Sequence, residues 1–182
     1  MKVFAQKGPV NTAEVVELTI KRAHELGVKH VVVASNSGAT AREFLGHGLS
    51  VVCVTHHVGF RGPGIDEMPA EMRSELTERG AQVLTTTHLF GGVERGYANK
   101  LSGYGPAYIT AATLRMFGQG TKVAVEIAVM ALDSGMIPYG EDIIAVGGSG
   151  GGADTSVVIR PAHANKFTET VVSEIICKPG VV

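Results

Sequence analysis

His30-Val31-Val32-Val33-Ala34-Ser35-Asn36-Ser37-Gly38-Ala39-Thr40 is the stretch on which the fold turns. His30 to Ala34 form a short, continuous apolar run without alternation, the pattern of a strand covered on both faces. The run breaks into a Ser/Gly-rich turn, and a helix is predicted from there to about Leu45. The same sentence repeats downstream. Leu49 to Thr55 is a second buried strand, followed by a loop rich in Gly and His. A helix is predicted over Pro69–Arg79, with Met68, Met72 and Leu76 at four-residue spacing, and Ala81 to Thr87 is a third strand. Upstream, residues 11–27 read as a helix capped by Asn11, with Ala13, Val16, Ile20 and Ala23 on one face and Gly27 as its stop.

His88 to Gly105 carries five glycines and no regular pattern, so it reads as a long irregular segment, either a cover over a crevice or a static surface loop. Helices are predicted over Pro106–Phe117 and Lys122–Asp133. Asp142 to Val146 is a fourth strand, and it ends in Gly147-Gly148-Ser149-Gly150-Gly151-Gly152. Thr155–Arg160 and Ser173–Lys178 are further strands with no helix between them, hence antiparallel additions. Strands alternating with helices require right-handed crossovers, which gives an α/β class: a three-layer α/β/α sandwich around a mostly parallel sheet.

Composition narrows the function. The 182 residues are 45% hydrophobic and 18% charged, which fits one globular domain over 1–182 and excludes a disordered chain. Sixteen Lys and Arg against 17 Asp and Glu give a net charge of −1, which argues against a nucleic-acid binder or a polybasic membrane anchor. The longest charge-free run, Phe44 to Phe60, contains three His and three Gly, so no membrane span is expected. The N-terminus lacks an apolar leader, and the expectation is a cytoplasmic protein. Cys53 and Cys177 lie in apolar runs and read as reduced core residues. Glycine is the outlier: 24 of 182 residues, against a usual share of roughly 7%.

In an open parallel sheet, ligands bind beyond the carboxyl ends of the strands where the strand order reverses. Ser35, Asn36, Ser37, Gly38, Ala39 and Thr40 form one loop suited to that place. Amides opening a helix carry partial positive charge, and three hydroxyls add donors, so the matched ligand is a phosphate. Helix capping by Ser37 is the competing explanation. Gly147, Gly148, Ser149 and Gly150 open the second such loop, for which a flexible turn into the next strand is the alternative. It is neither a Walker loop nor a dinucleotide fingerprint, because no Gly-Lys-Ser/Thr and no long helix follows. Thr55, His56, His57, Gly59 and Phe60 leave the second strand, and His88 leaves the third. Adjacent histidines rarely share a metal, so no metal site is assigned. Neither H-E-x-x-H nor C-x-x-C occurs. Lys122, Glu126 and Asp133 share a helix face and read as a solvated stripe, with a stripe facing the cleft as the alternative.

Across HVVVASNSGATA (30–41), VVCVTHHVGF (51–60), FGQGTKVAVEIAVMALDSGMIP (117–138) and AVGGSGGGADTSVVIRPA (145–162), the chain resembles a family of small proteins sharing the fold of the pyruvate kinase C-terminal domain. In pyruvate kinase a T-x-S-G-x-T loop holds a phosphate of the sugar bisphosphate effector, and Ser35, Ser37, Gly38 and Thr40 match its positions. The resemblance implies a sheet order 3-2-1-4-5 with the fifth strand antiparallel, which sets the first and fourth strands side by side. It also implies flavin mononucleotide (FMN) as the bound cofactor. A sugar-phosphate-binding regulatory module is the alternative. The kinase barrel has no counterpart in these residues, so kinase activity is not implied. The expected partner is therefore a phosphorylated small molecule, with homo-oligomerisation left open.

Overall fold

Alternate residues of each central strand enter two different cores. In β2 (His30–Ala34), Val31 and Val33 pack into one cluster and Val32 into the other. In β3 (Ser50–Val54), Val51 and Cys53 go one way and Val52 and Val54 the other. Side chains alternate across a strand, so a continuous apolar run has to be covered on both faces.

The computed structural model describes residues 1–180. β1 (Lys2–Phe4) leads through a 3-10 turn into α1 (Thr12–Leu26), and β2 is followed by the short α2 (Ala39–Arg42). After β3 come α3 (Ala70–Glu78), β4 (Gln82–Leu84), α4 (Gly92–Leu101), α5 (Pro106–Arg115) and α6 (Gln119–Asp133). The chain closes with β5 (Ile143–Gly147), β6 (Thr155–Arg160) and β7 (Val171–Pro179). Residues of α1, α2 and α3 complete one core and α6 fills the other, giving the three layers. No helix among the described residues is long and apolar enough to cross a membrane.

The sheet order is β1-β7-β6-β5-β2-β3-β4. Counted from β2, this is the expected 3-2-1-4-5 order, extended by β7 and β1. β2 pairs in parallel with both β3 and β5, and β5 pairs antiparallel with β6. β1 was not expected from sequence; its three residues pair in parallel with β7, and the Phe4 carbonyl accepts the Gly180 amide.

Four expectations change. His88–Gly105 is not irregular throughout, because Gly92–Leu101 is helical. The helix after β2 has only four residues, and i→i+3 bonds carry the chain on to Leu45. On α1 the expected face is partly right: Ala23 is buried and Val16 and Ile20 pack half-buried against the core, but Ala13 is exposed and Val15 and Thr19 are buried instead. Asn11 makes no side-chain cap; its amide nitrogen donates to the Gln6 and Gly8 carbonyls. Both cysteines are buried and free, and burial pushes their thiols up to about 12.

Candidate functional site

β2 and β5 lie side by side, yet the chain leaves β2 toward β3 and β4 and returns to β5 on the opposite flank. This is the switch point, and a cavity of about 680 Å³ opens at the carboxyl ends of the strands there. That volume is within the roughly 300–1,000 Å³ usual for small-molecule sites.

Ser35 is buried at the end of β2. Its Oγ accepts the Thr40 and Ala41 amides at 3.1 and 3.3 Å, so Ser35, not Ser37, caps the turn. Ser37 is thereby left exposed on the cavity wall beside Asn36 and Thr40. Among the described residues the amides of Ser37, Gly38 and Ala39 have no protein acceptor. The side of Gly38 is closed by Met72, only 2.4 Å from where a Cβ would stand. Gly38 and Ala39 shape the loop without lining the cavity.

Across the cavity runs the glycine loop after β5. A Cβ at Gly148 would lie 2.4 Å from the Gly152 carbonyl oxygen, and one at Gly152 would lie 2.4 Å from Thr12 Oγ1. Gly150 has φ +79°. Packing or backbone thus demands these three glycines. Gly151 is different: it lines the cavity, its φ is ordinary, and a Cβ there meets nothing within 4 Å. Its missing side chain leaves room toward the cavity. Gly151→Ala should leave the melting temperature within a degree or two while weakening ligand binding several-fold. Unchanged affinity in a titration would remove Gly151 from the binding surface.

Gly147 and Ser149 stand off the wall; Gly147 is pressed against the Gly120 carbonyl of α6. Gly147 to Gly151 also spells G-x-S-x-G, the pattern of a nucleophile elbow. An elbow needs a helix after the serine, whereas this segment leads into the antiparallel β6, so Ser149 is not a nucleophile of that kind.

At the exit of β3, Thr55 Oγ1 lies 2.7 Å from Thr85 Oγ1. The His56 ring stacks on Phe60 at a centroid distance of 3.8 Å. His56 Nδ1 is 2.6 Å from Glu67, whose other oxygen takes Arg61 Nε at 2.7 Å. Burial works to raise Glu67, but His56 and Arg61 outweigh it and hold the carboxyl below the usual carboxylate range. An ionised Glu67 makes Nδ1 the donor and leaves Nε2 for another partner. His88, from the end of β4, lies 5.3 and 5.5 Å from the His56 and His57 rings, and burial lowers its pKa despite nearby Glu126. Among the described residues no three His, Cys, Asp or Glu are grouped to hold a metal ion. His57 and Gly59 stand off the wall: His57 Nδ1 meets the Val58 carbonyl, and the Gly59 amide donates to Ile65.

The fourth wall corrects the sequence reading. Lys122 and Glu126 do not lie on a solvated stripe; both are buried, paired with each other, and line the cavity. Glu126 also accepts the Phe90 amide at 2.9 Å, and Lys122 Nζ sits 5.3 Å from the Phe90 ring centroid. Burial lowers the Lys122 pKa, with Glu126 opposing. Asp133 parts from them, bonding exposed His163. Arg95 and Arg115 complete the wall, and among the described residues neither is paired with a carboxylate. The site therefore has two cations to spare.

An open α/β sheet with a polar cavity at its switch point defines the class, an α/β domain of the doubly covered kind. The family model for the pyruvate kinase alpha/beta domain matches residues 13–159, more than half of the chain, so the chain belongs to that family. Two solved structures of pyruvate kinase from Cryptosporidium parvum are similar. One has 14% identity and a TM-score of 0.45 over 85% of this chain and 23% of that one. The other has 14% identity and a TM-score of 0.39 over 78% and 22%. The chain spans less than a quarter of the length of these pyruvate kinases.

Proposed function

We propose that residues 1–182 act as one domain that binds a phosphomonoester in this cavity, and that the ligand is FMN. The observation that carries the reading is the chemical division of the cavity. One side offers the Ser37 and Thr40 hydroxyls, unpaired amides and a glycine loop; another offers the stacked His56 and Phe60 beside His88. The first suits a phosphate of nearly two negative charges, with Arg95 and Arg115 to balance it. The second offers flat aromatic surface to a ring system.

Bound flavin would supply hydride or single-electron chemistry. The chain's own part is to hold the phosphate at the Ser37 loop, border the ring and keep Lys122 and Glu126 neutralised in the wall. The dinucleotide FAD is disfavoured, because the carboxylate that holds an adenosine ribose about 20 positions after the first loop is missing; position 58 is Val58.

The two unpaired arginines favour a second reading, a regulatory module for a sugar bisphosphate, whose second phosphate they would take. An absorbance scan of the purified protein, before and after incubation with FMN and desalting, separates the two. Retained yellow flavin bands support FMN. Colourless protein that binds a sugar bisphosphate calorimetrically establishes the second reading.

A further inference from the structure

α4 is a ten-residue helix none of whose residues is buried. A helix this short is marginal unless an apolar face is packed. α4 is held on one side only: Glu94 accepts the Ala107 and Tyr108 amides at 3.3 and 2.8 Å, tying it to the start of α5. Val93, Tyr97 and Leu101, at spacings of four, form a stripe on α4 that is mostly uncovered among the described residues. Tyr104 extends it, with its ring 4.5 Å from that of Tyr108 at the start of α5.

These side chains are 47–75% exposed. At roughly 200 Å² for a large side chain, they show on the order of 600 Å² of apolar surface. That stands at the top of the roughly 300–600 Å² of the largest patch on an ordinary monomer and supplies most of the roughly 800 Å² per partner of a standard interface. A groove of about 520 Å³ between the stripe and Tyr104 gives the face relief.

We propose that this face docks a second copy of the chain in a two-fold interface, each α4–α5 face packing on its counterpart. A net charge of −1 imposes little repulsion between copies, and the rim of α4 mixes Glu94 with Arg95 and Lys100 rather than presenting one sign. The same rim lacks the cluster of basic residues that would draw the face to an anionic membrane. Arg95 lines the ligand cavity from α4 itself, so the partner copy would fix that wall from behind. The inference does not depend on which ligand the cavity takes.

Sedimentation velocity over a micromolar concentration series tests it, using wild type, Tyr97→Glu and Leu101→Glu. Both side chains are about two-thirds exposed and outside the cores, so circular dichroism and melting temperature should stay close to wild type. Wild type is expected at twice the 19.0 kDa chain mass, or a higher even multiple, and each variant should dissociate at least tenfold more readily. Wild type at the chain mass at tens of micromolar overturns the proposal, as do variants that associate like wild type. Monomeric wild type that pellets with phosphatidylcholine vesicles, an interaction lost in Leu101→Glu, would overturn it in favour of a lipid surface.

Discussion

Ser37→Asp should reduce affinity for a phosphorylated ligand by roughly a thousandfold and leave the fold intact. Ser37 is exposed, and its hydroxyl has no role in the turn, which Ser35 caps. A carboxylate there would stand beside the unpaired loop amides proposed to hold the phosphate. Two like charges about 4 Å apart repel by about 4 kcal/mol at an effective dielectric constant near 20, which is the thousandfold loss. Ser37→Ala removes one charge-assisted bond of about 1.5–3 kcal/mol, so it should cost about ten- to a hundredfold. Ser35→Ala should behave differently. It orphans the Thr40 and Ala41 amides and should lower stability as well as affinity. Calorimetric titration alongside a thermal melt checks all three. A Ser37→Asp variant that binds like wild type would show that the ligand's anion sits elsewhere.

The second large effect falls on Glu126→Gln, which should destabilise the protein by about 3 kcal/mol, the lower end of the cost of stripping a buried charge of its partner. Glutamine keeps an acceptor for the Phe90 amide, so the loss isolates the charge of Lys122. The sign with pH follows from the lysine. Burial already lowers its pKa in the folded protein, and Glu126 is what opposes that. Without Glu126 the folded value falls further below the unfolded one, and the folded protein binds fewer protons. The deficit is therefore full below the lowered value and shrinks as pH rises toward the ordinary lysine value. Adding Lys122→Met should restore more than half of the lost stability, because no uncompensated charge remains. Urea unfolding at two pH values measures both. A deficit under about 1 kcal/mol, or a double variant less stable than the single, would contradict the buried pair.

Strand identity was legible because burial on both faces leaves a plain mark, continuous apolar runs such as His30–Ala34 and Ile143–Val146, whereas the strand order came only from the resemblance to the pyruvate kinase C-terminal domain. The loop 35–40 was legible for the same reason, standing where a buried run stops. What the sequence hid was mostly a matter of who satisfies whom. Three hydroxyls in one loop do not say which caps, and the answer depends on Ser35 being the residue that remains buried. α4 was hidden because Gly92 and Gly96 lower helix propensity, while its i, i+4 stripe of Val93, Tyr97 and Leu101 faces no core.

The Lys122–Glu126 pair did leave a sign that local pairing rules miss. Apolar residues surround α6 on every side, so the helix has no solvated face to offer two charges. On such a helix an ion pair has to face a cavity. Glu67 and Arg61 left no comparable sign, because the turn from His57 to Gly64 brings them back to His56. Arg95 and Arg115 likewise reach the site only through the path of α4 and α5.

The proposed recognition of a flavin by its phosphate is tested most directly by a side-by-side calorimetric titration of wild type with FMN and riboflavin. The two ligands share the ring and the ribityl chain and differ only in the phosphomonoester. Two or more charge-assisted bonds at the Ser37 loop, at about 1.5–3 kcal/mol each, predict that FMN binds at least a hundredfold more tightly. Equal affinities for the two would contradict the assignment of the Ser35–Thr40 loop as the phosphate site.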